Sequence, residues 1–200
     1  MSIDVKKHAR EIGRHLRNRK FEQTEGGILI RGGMNALMNG AFRDTLYREG
    51  EAPDSQLSPN LVVDQGLIHV LNAVFAAQAQ ITAWYIGLFS GNVTPQSGWT
   101  GANIVANATE VTGYADARKL YDVDPTATPS ISNASSEALF EFDSSGPYTV
   151  RGAFLAQASA KGATTGALMA CTRFASDRTG LNSPDKLGVQ YVITAADAGA

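Results

Sequence analysis

Beyond Thr82 the apolar residues fall at every second position, and that period commits the chain to extended strands. Ala138, Phe140 and Phe142 alternate with Glu137, Leu139 and Glu141. Val150, Gly152, Phe154 and Ala156 alternate with Arg151, Ala153, Leu155 and Gln157. Leu168, Ala170, Thr172 and Phe174 form a third set, and Leu187, Val189, Tyr191 and Ile193 a fourth. Successive side chains on a strand point to opposite faces, so each set marks one buried face. Thr82–Phe89 is apolar on both faces, as a central strand would be. Between the runs lie turn formers: Ser90-Gly91-Asn92, Asp124-Pro125, Ser144 to Pro147, Lys161-Gly162 and Asn182 to Asp185. No βαβ rhythm interrupts them. The pattern predicts a mainly β fold, an antiparallel sandwich or jelly roll.

One helix is expected to pack on this body. Leu67, Val70, Leu71, Val74 and Phe75 recur at helical spacing within Gln65–Ala77, and Asp64 stands where an N-cap belongs. Residues 91–136 are long, polar and irregular, as in a loop that is functional or packed on a neighbour. Residues 49–59, with Gly50, Pro53, Ser55 and Pro59, read as a linker. The expected division is therefore an arm over 1–58 and a β-sandwich domain over 59–200. Within the arm, Ile28–Arg31 between glycine pairs and Ala41–Arg48 read as short strands.

Charge is distributed unevenly. The first 20 residues hold seven Lys/Arg against Asp4 and Glu11, whereas the 149 residues from Ala52 hold seven basic and twelve acidic side chains. Ile3–Arg19 is expected to form an amphipathic helix, with Val5, Ala9, Ile12 and Leu16 as an apolar stripe on a basic cylinder. Gly13 and the short length make it marginal alone. The candidate partner-binding residues are Val5, Arg10, Ile12, Arg14, Leu16 and Arg17. An apolar stripe needs a protein groove and the arginines need acids at its rim, so a protein partner is favoured over nucleic acid. No aromatic side chain is interleaved before Phe21, which also weighs against direct nucleic-acid binding. Charged residues make up 18% of the whole chain, below the ~25% usual for soluble domains. A surface this neutral suits subunit packing, and equally a β domain rich in small residues.

Motifs of chemistry are sparse. His8, His15 and His69 form no ligand pair, and the one cysteine, Cys171, sits in a strand-like run as a buried thiol. Asp122 and Asp124 resemble half of a calcium loop but lack its spaced oxygens and closing Glu. Neither G-x-x-x-x-G-K-[ST] nor G-x-S-x-G occurs. Glu137, Glu141 and Asp143 read as the wet side of a strand rather than a glycosidase pair. No catalytic residue, metal or cofactor is expected. No apolar run reaches the ~20 residues that span a bilayer, and no signal peptide is expected.

An ordered set of segments resembles a known family. Asn60 to Leu67, Thr82 to Pro95, Ala106-Asn107-Ala108-Thr109-Glu110, Gly152-Ala153-Phe154-Leu155, Ser159 to Gly166 and Tyr191 to Asp197 are together similar to small virion structural proteins of tailed bacteriophages. The resemblance covers roughly residues 60–197. It implies a virion part assembled in the host cytoplasm, with a head decoration or cement protein as the preferred role. The implied partners are the major capsid protein and neighbouring copies of the chain, a trimer being favoured. The alternatives are a neck, connector or tail component, and a carbohydrate-binding sandwich with Trp84, Trp99 and Tyr114 as stacking residues.

Overall fold

Each alternating run forms a strand. The computed structural model describes residues 21–24, 27–30 and 36–197, and the fold is mainly β, built of antiparallel sheets. The strands are β1 Phe21–Thr24, β2 Gly27–Ile30, β3 Ala36–Tyr47, β4 Asp54–Pro59, β5 Leu61–Val62, β6 Tyr85–Phe89, β7 Lys119–Leu120, β8 Ser130–Ser132, β9 Ala138–Glu141, β10 Tyr148–Ala156, β11 Leu168–Leu181 and β12 Lys186–Asp197. One helix, α1, spans Asp64–Phe75, and a short helix, α2, Gly101–Asn103, runs on into a π turn over Ile104–Ala108.

The chain divides into two units, residues 1–37 with 195–200, and residues 38–194. In the first, β1 and β2 form a hairpin in which Phe21 faces Ile30 and Thr24 faces Gly27. The second holds two larger sheets, ordered β5-β11-β10-β6-β7 and β4-β3-β12-β8, with β9 also paired to β12. Ser58, at the boundary expected from sequence, is fully buried within β4, and β4 pairs with β3 from Ala41↔Pro59 to Leu46↔Asp54.

The main core draws on both sheets. Phe42, Phe140, Leu187, Val189 and Tyr191 come from one, and Ile86, Leu88, Ala153, Leu155 and Ala170 from the other. Phe42 stacks on Tyr191 with ring centroids 4.2 Å apart. Asn133, fully buried, accepts from the Tyr191 amide at 2.7 Å and donates to the Val189 carbonyl at 3.2 Å. It thus continues the pairing of β12 where β9 gives way to β8. A second cluster, with Phe89, Trp99, Ile104, Phe154, Leu168 and Cys171, forms under part of the long segment read as irregular. β10 therefore has apolar neighbours on both faces, and its bulge between Val150 and Gly152 switches which positions face the main core. Gly87 and Gly152 leave room for rings that a side chain would strike. A Cβ at Gly87 would lie 2.3 Å from the Phe154 ring, and one at Gly152 lies 2.2 Å from that of Phe89.

α1 departs from expectation twice. Val63, not Asp64, occupies the N-cap and makes no side-chain cap. Its amide is committed to the Met169 carbonyl at 3.1 Å and that of Asp64 to Ser97 at 2.8 Å, so docking fixes where the helix begins. Asp64 becomes the first helical residue, where its charge complements the helix dipole. The packed face also takes only Val70 from the apolar stripe. The helix meets the body through Gly66, its one buried residue, with half-buried His69, Val70 and Ala73 on the same side. A Cβ on Gly66 would stand 2.4 Å from the Met169 carbonyl oxygen.

Helix propensity alone says Gly66→Ala should stabilise by about 1 kcal/mol. The contact with the Met169 backbone reverses that sign, and we expect a net loss of about 1–3 kcal/mol from overpacking, read as a lower thermal midpoint. An unchanged or higher midpoint would show that α1 is not seated on β11 as described.

Candidate interaction surface

Ionisable side chains of the body are drawn into pairs that hold strands and loops. Arg178 on β11 is almost fully buried; its Nε donates to Asp44 Oδ2 of β3 at 2.6 Å, and Nη1 pairs with Asp54 of β4. Asp44 is completely buried, and its other oxygen, Oδ1, has no partner. Burial holds the Asp44 carboxyl above its usual range although Arg178 and Gln56 both donate to it. Around this clip the edge of β4 meets β11 through side chains. Gln56 bonds the Ser176 amide at 2.9 Å and carbonyl at 2.8 Å, and the Ser58 hydroxyl accepts from the Ala175 amide at 3.0 Å.

A second buried pair fixes the loop 157–167. Arg118 donates to both oxygens of Glu110, at 2.7 and 2.8 Å, to the Ala158 carbonyl at 3.0 Å and to that of Ala163 at 3.3 Å. Its guanidinium lies 4.9 Å from the centre of the Phe154 ring. Lys161, from the same loop, reaches back to the carbonyls of Thr112 and Tyr114 and over the Tyr114 ring. Burial holds its ammonium below the usual lysine range.

The acids weighed as a catalytic pair are engaged one by one. Glu137 accepts from Tyr47 at 2.9 Å, Glu141 pairs with Lys186, and Asp143 accepts from the Tyr148 hydroxyl at 2.6 Å. Asp122 takes the Ser136 hydroxyl at 3.1 Å. Among the described residues no group of three His, Cys, Asp or Glu is placed to hold a metal ion. Cys171 is fully buried, and burial pushes its thiol up to about 12. Of the three aromatics considered for stacking on a sugar, Trp99 and Tyr114 are buried in different clusters. Trp84 is half-buried, with its ring edge-on to His69. They form no common platform. The six candidate partner-binding residues, Val5, Arg10, Ile12, Arg14, Leu16 and Arg17, lie outside the described residues.

The surface feature that sequence reasoning missed is on α1. Val70 of its stripe packs against the main core, but the rest faces solvent: Leu67 is 39% exposed, Leu71 56%, Val74 64% and Phe75 81%, with neighbouring Ile68 55% exposed beside them. From Gln65 to Thr109 the chain contains no Asp, Glu, Lys or Arg. Beside the helix run two shallow hollows of about 390 and 720 Å³ that share Ile81 and Gln157. Their walls include His69, Asn72, Gln78, Ser159 and Thr165, and no charged side chain. The Arg118–Glu110 pair supports the loop that forms the far wall. Helix, segment 77–84 and loop thus make one face that carries little charge, exposed Asp64 at the start of α1 being the exception. The unbroken run of neutral residues was visible in the sequence; the outward turn of the stripe was not. No protein-family model matches the chain, and neither does any curated protein.

Removing Arg178 leaves Asp44 buried without its counter-charge. We expect Arg178→Ala to cost about 3–5 kcal/mol of stability in denaturant titrations. A loss under ~1 kcal/mol, the scale of a surface pair, would contradict the clip. The pH dependence follows from the upward shift at Asp44. A carboxyl whose folded pKa exceeds its unfolded value binds its proton more tightly in the fold, so its contribution is fully present at low pH and declines as pH rises through the folded value. Relative to Asp44→Asn, the wild-type chain should therefore lose stability as pH rises above about 4. A relative gain over that range would reverse the assignment.

Proposed function

We propose that this chain is a structural virion protein of a tailed bacteriophage, a head decoration or cement protein that binds the outer capsid surface and stabilises contacts between capsomers. The observation that carries the reading is how the body uses its side chains. Its buried charges lock strands and loops, while a broad outward face is apolar or neutral. That division suits a part built to be rigid and to be covered by other protein. The resemblance over residues 60–197 points the same way. The two sheets with their shared core fit a sandwich, and the basic, apolar-striped residues 1–20 suit docking against an acidic-rimmed groove of the major capsid protein. Neighbouring copies of the chain are the second partner. The carbohydrate-binding alternative loses support, because two of its three aromatics are buried.

The test is electron cryomicroscopy of particles carrying the protein, with quantitation against the major capsid protein. A decoration protein should lie on the head at a copy number approaching that of the capsid subunit. Roughly a dozen copies at the portal would make it a connector instead, by the stoichiometry that closed symmetry imposes. Deleting residues 1–20 should leave a folded protein that no longer decorates particles. Ile12→Asp should come close to the deletion in effect and Lys6→Ala should do little. Undiminished decoration by the truncated chain would move docking to the β body.

A further inference from the structure

We infer that two copies of this chain pair through the exposed face of α1. Five large apolar side chains, Leu67, Ile68, Leu71, Val74 and Phe75, stand on that face. Taking about 170 Å² for a residue of this size, their exposed parts amount to roughly 500 Å² per copy. That is well up in the range of the largest apolar patch on an ordinary monomer, ~300–600 Å². A pair that covered it all would remove about 1,000 Å² from water, the least that a specific interface should clear, before the flanking hollows add to it.

Charge selects the occupant. A highly charged partner would find little to meet: Asp64, exposed at the first position of α1, is the one charge on the helix, and none lines the hollows. That single acid is a poor match for the chain's own first 20 residues, which carry seven Lys/Arg. A second copy brings the same nearly neutral surface, with one like charge, Asp64, at the end of each stripe. Its polar groups are self-complementary as well: Asn72, Gln78 and Gln157 each carry donors and acceptors at the edge of the stripe.

Geometry selects the symmetry. The other large apolar side chains exposed among the described residues, Leu57, Leu120 and Leu139, come singly from different strands. Over residues 38–195, whose exposure is described, no second apolar patch is there to receive the first, which leaves the α1 face to meet itself. A patch that meets itself is isologous and closes as a twofold pair, whereas a ring of three needs two different complementary surfaces. The inference is independent of the virion reading and narrows the trimer expected from resemblance to a pair.

The test is sedimentation equilibrium of the full chain from about 1 to 100 µM, bracketing the micromolar affinity that a small interface supports. We expect a monomer–dimer equilibrium. Leu71→Glu and Phe75→Glu should each weaken it at least about 30-fold, the scale of an interface hot spot. Both side chains are largely exposed, so the circular dichroism spectrum and melting midpoint should stay near wild type, which separates lost pairing from lost folding. A chain that is monomeric at 100 µM overturns the inference, as does an oligomer whose mass is indifferent to both substitutions. A glutamate variant that melts early and cooperatively at a lower midpoint also overturns it, by placing the stripe inside a single copy.

Discussion

Everything in the body depends on where β11 runs. It pairs with β10 from Leu168 to Leu181 and with β5 near its start, and its later residues also lie against β4 of the other sheet. Arg178 is the charge that holds that crossing, set between Asp44 of β3 and Asp54 of β4 in a place where Asp44 has no access to water. A buried arginine is costly to desolvate and is tolerated only where its donors are taken. Here they are taken by two carboxylates and the Asp54 carbonyl. With β11 fixed, α1 can rest Gly66 on Met169, and the second apolar cluster can close around Cys171 and Leu168.

The same economy of charge explains the surface. Arg118 and Glu110 occupy each other fully, and Lys161 is turned inward onto carbonyls, so the loop between β10 and β11 presents small neutral groups to solvent. Together with an unbroken neutral stretch from Gln65 to Thr109, this leaves a face on which apolar contact meets little charge beyond Asp64. Such a face is costly in an isolated molecule and useful in an assembly, where the hydrophobic gain on covering it is not reduced by desolvating ions.

Sequence reading succeeded where period and burial are the same thing. β9 and β12 follow their alternation, because one face of each is turned to a core and Ala138, Phe140, Val189 and Tyr191 fill it. It stopped short on β11. Ala175-Ser176-Asp177-Arg178 carries no apolar alternation, and Gln56, Ser58 and Asp44 hold it by bonds between residues more than a hundred positions apart. It found α1 and misjudged its orientation. Periodicity reports that a helix has an apolar stripe, but a glycine that permits backbone contact can decide which side packs, and Gly66 does so here. Asp64 lost the cap for a related reason, since the Val63 and Asp64 amides bond Met169 and Ser97 and the helix starts one residue earlier, with Val63 at the cap. Trp99 and Tyr114 looked like surface aromatics in a polar segment and are core residues, because that segment folds back over Phe89 and Phe154 and against Phe140.

The central claim is that the apolar face of α1 is a contact surface and that the buried Arg178–Asp44 and Arg118–Glu110 pairs are internal structure. Amide hydrogen exchange of the full chain, compared between dilute and concentrated solution, tests it most directly. The account predicts that slowing on concentration centres on residues 64–80, with β11 around Arg178 strongly protected at both concentrations. Exchange over 64–80 that is independent of concentration, or rapid exchange around Arg178, would contradict it.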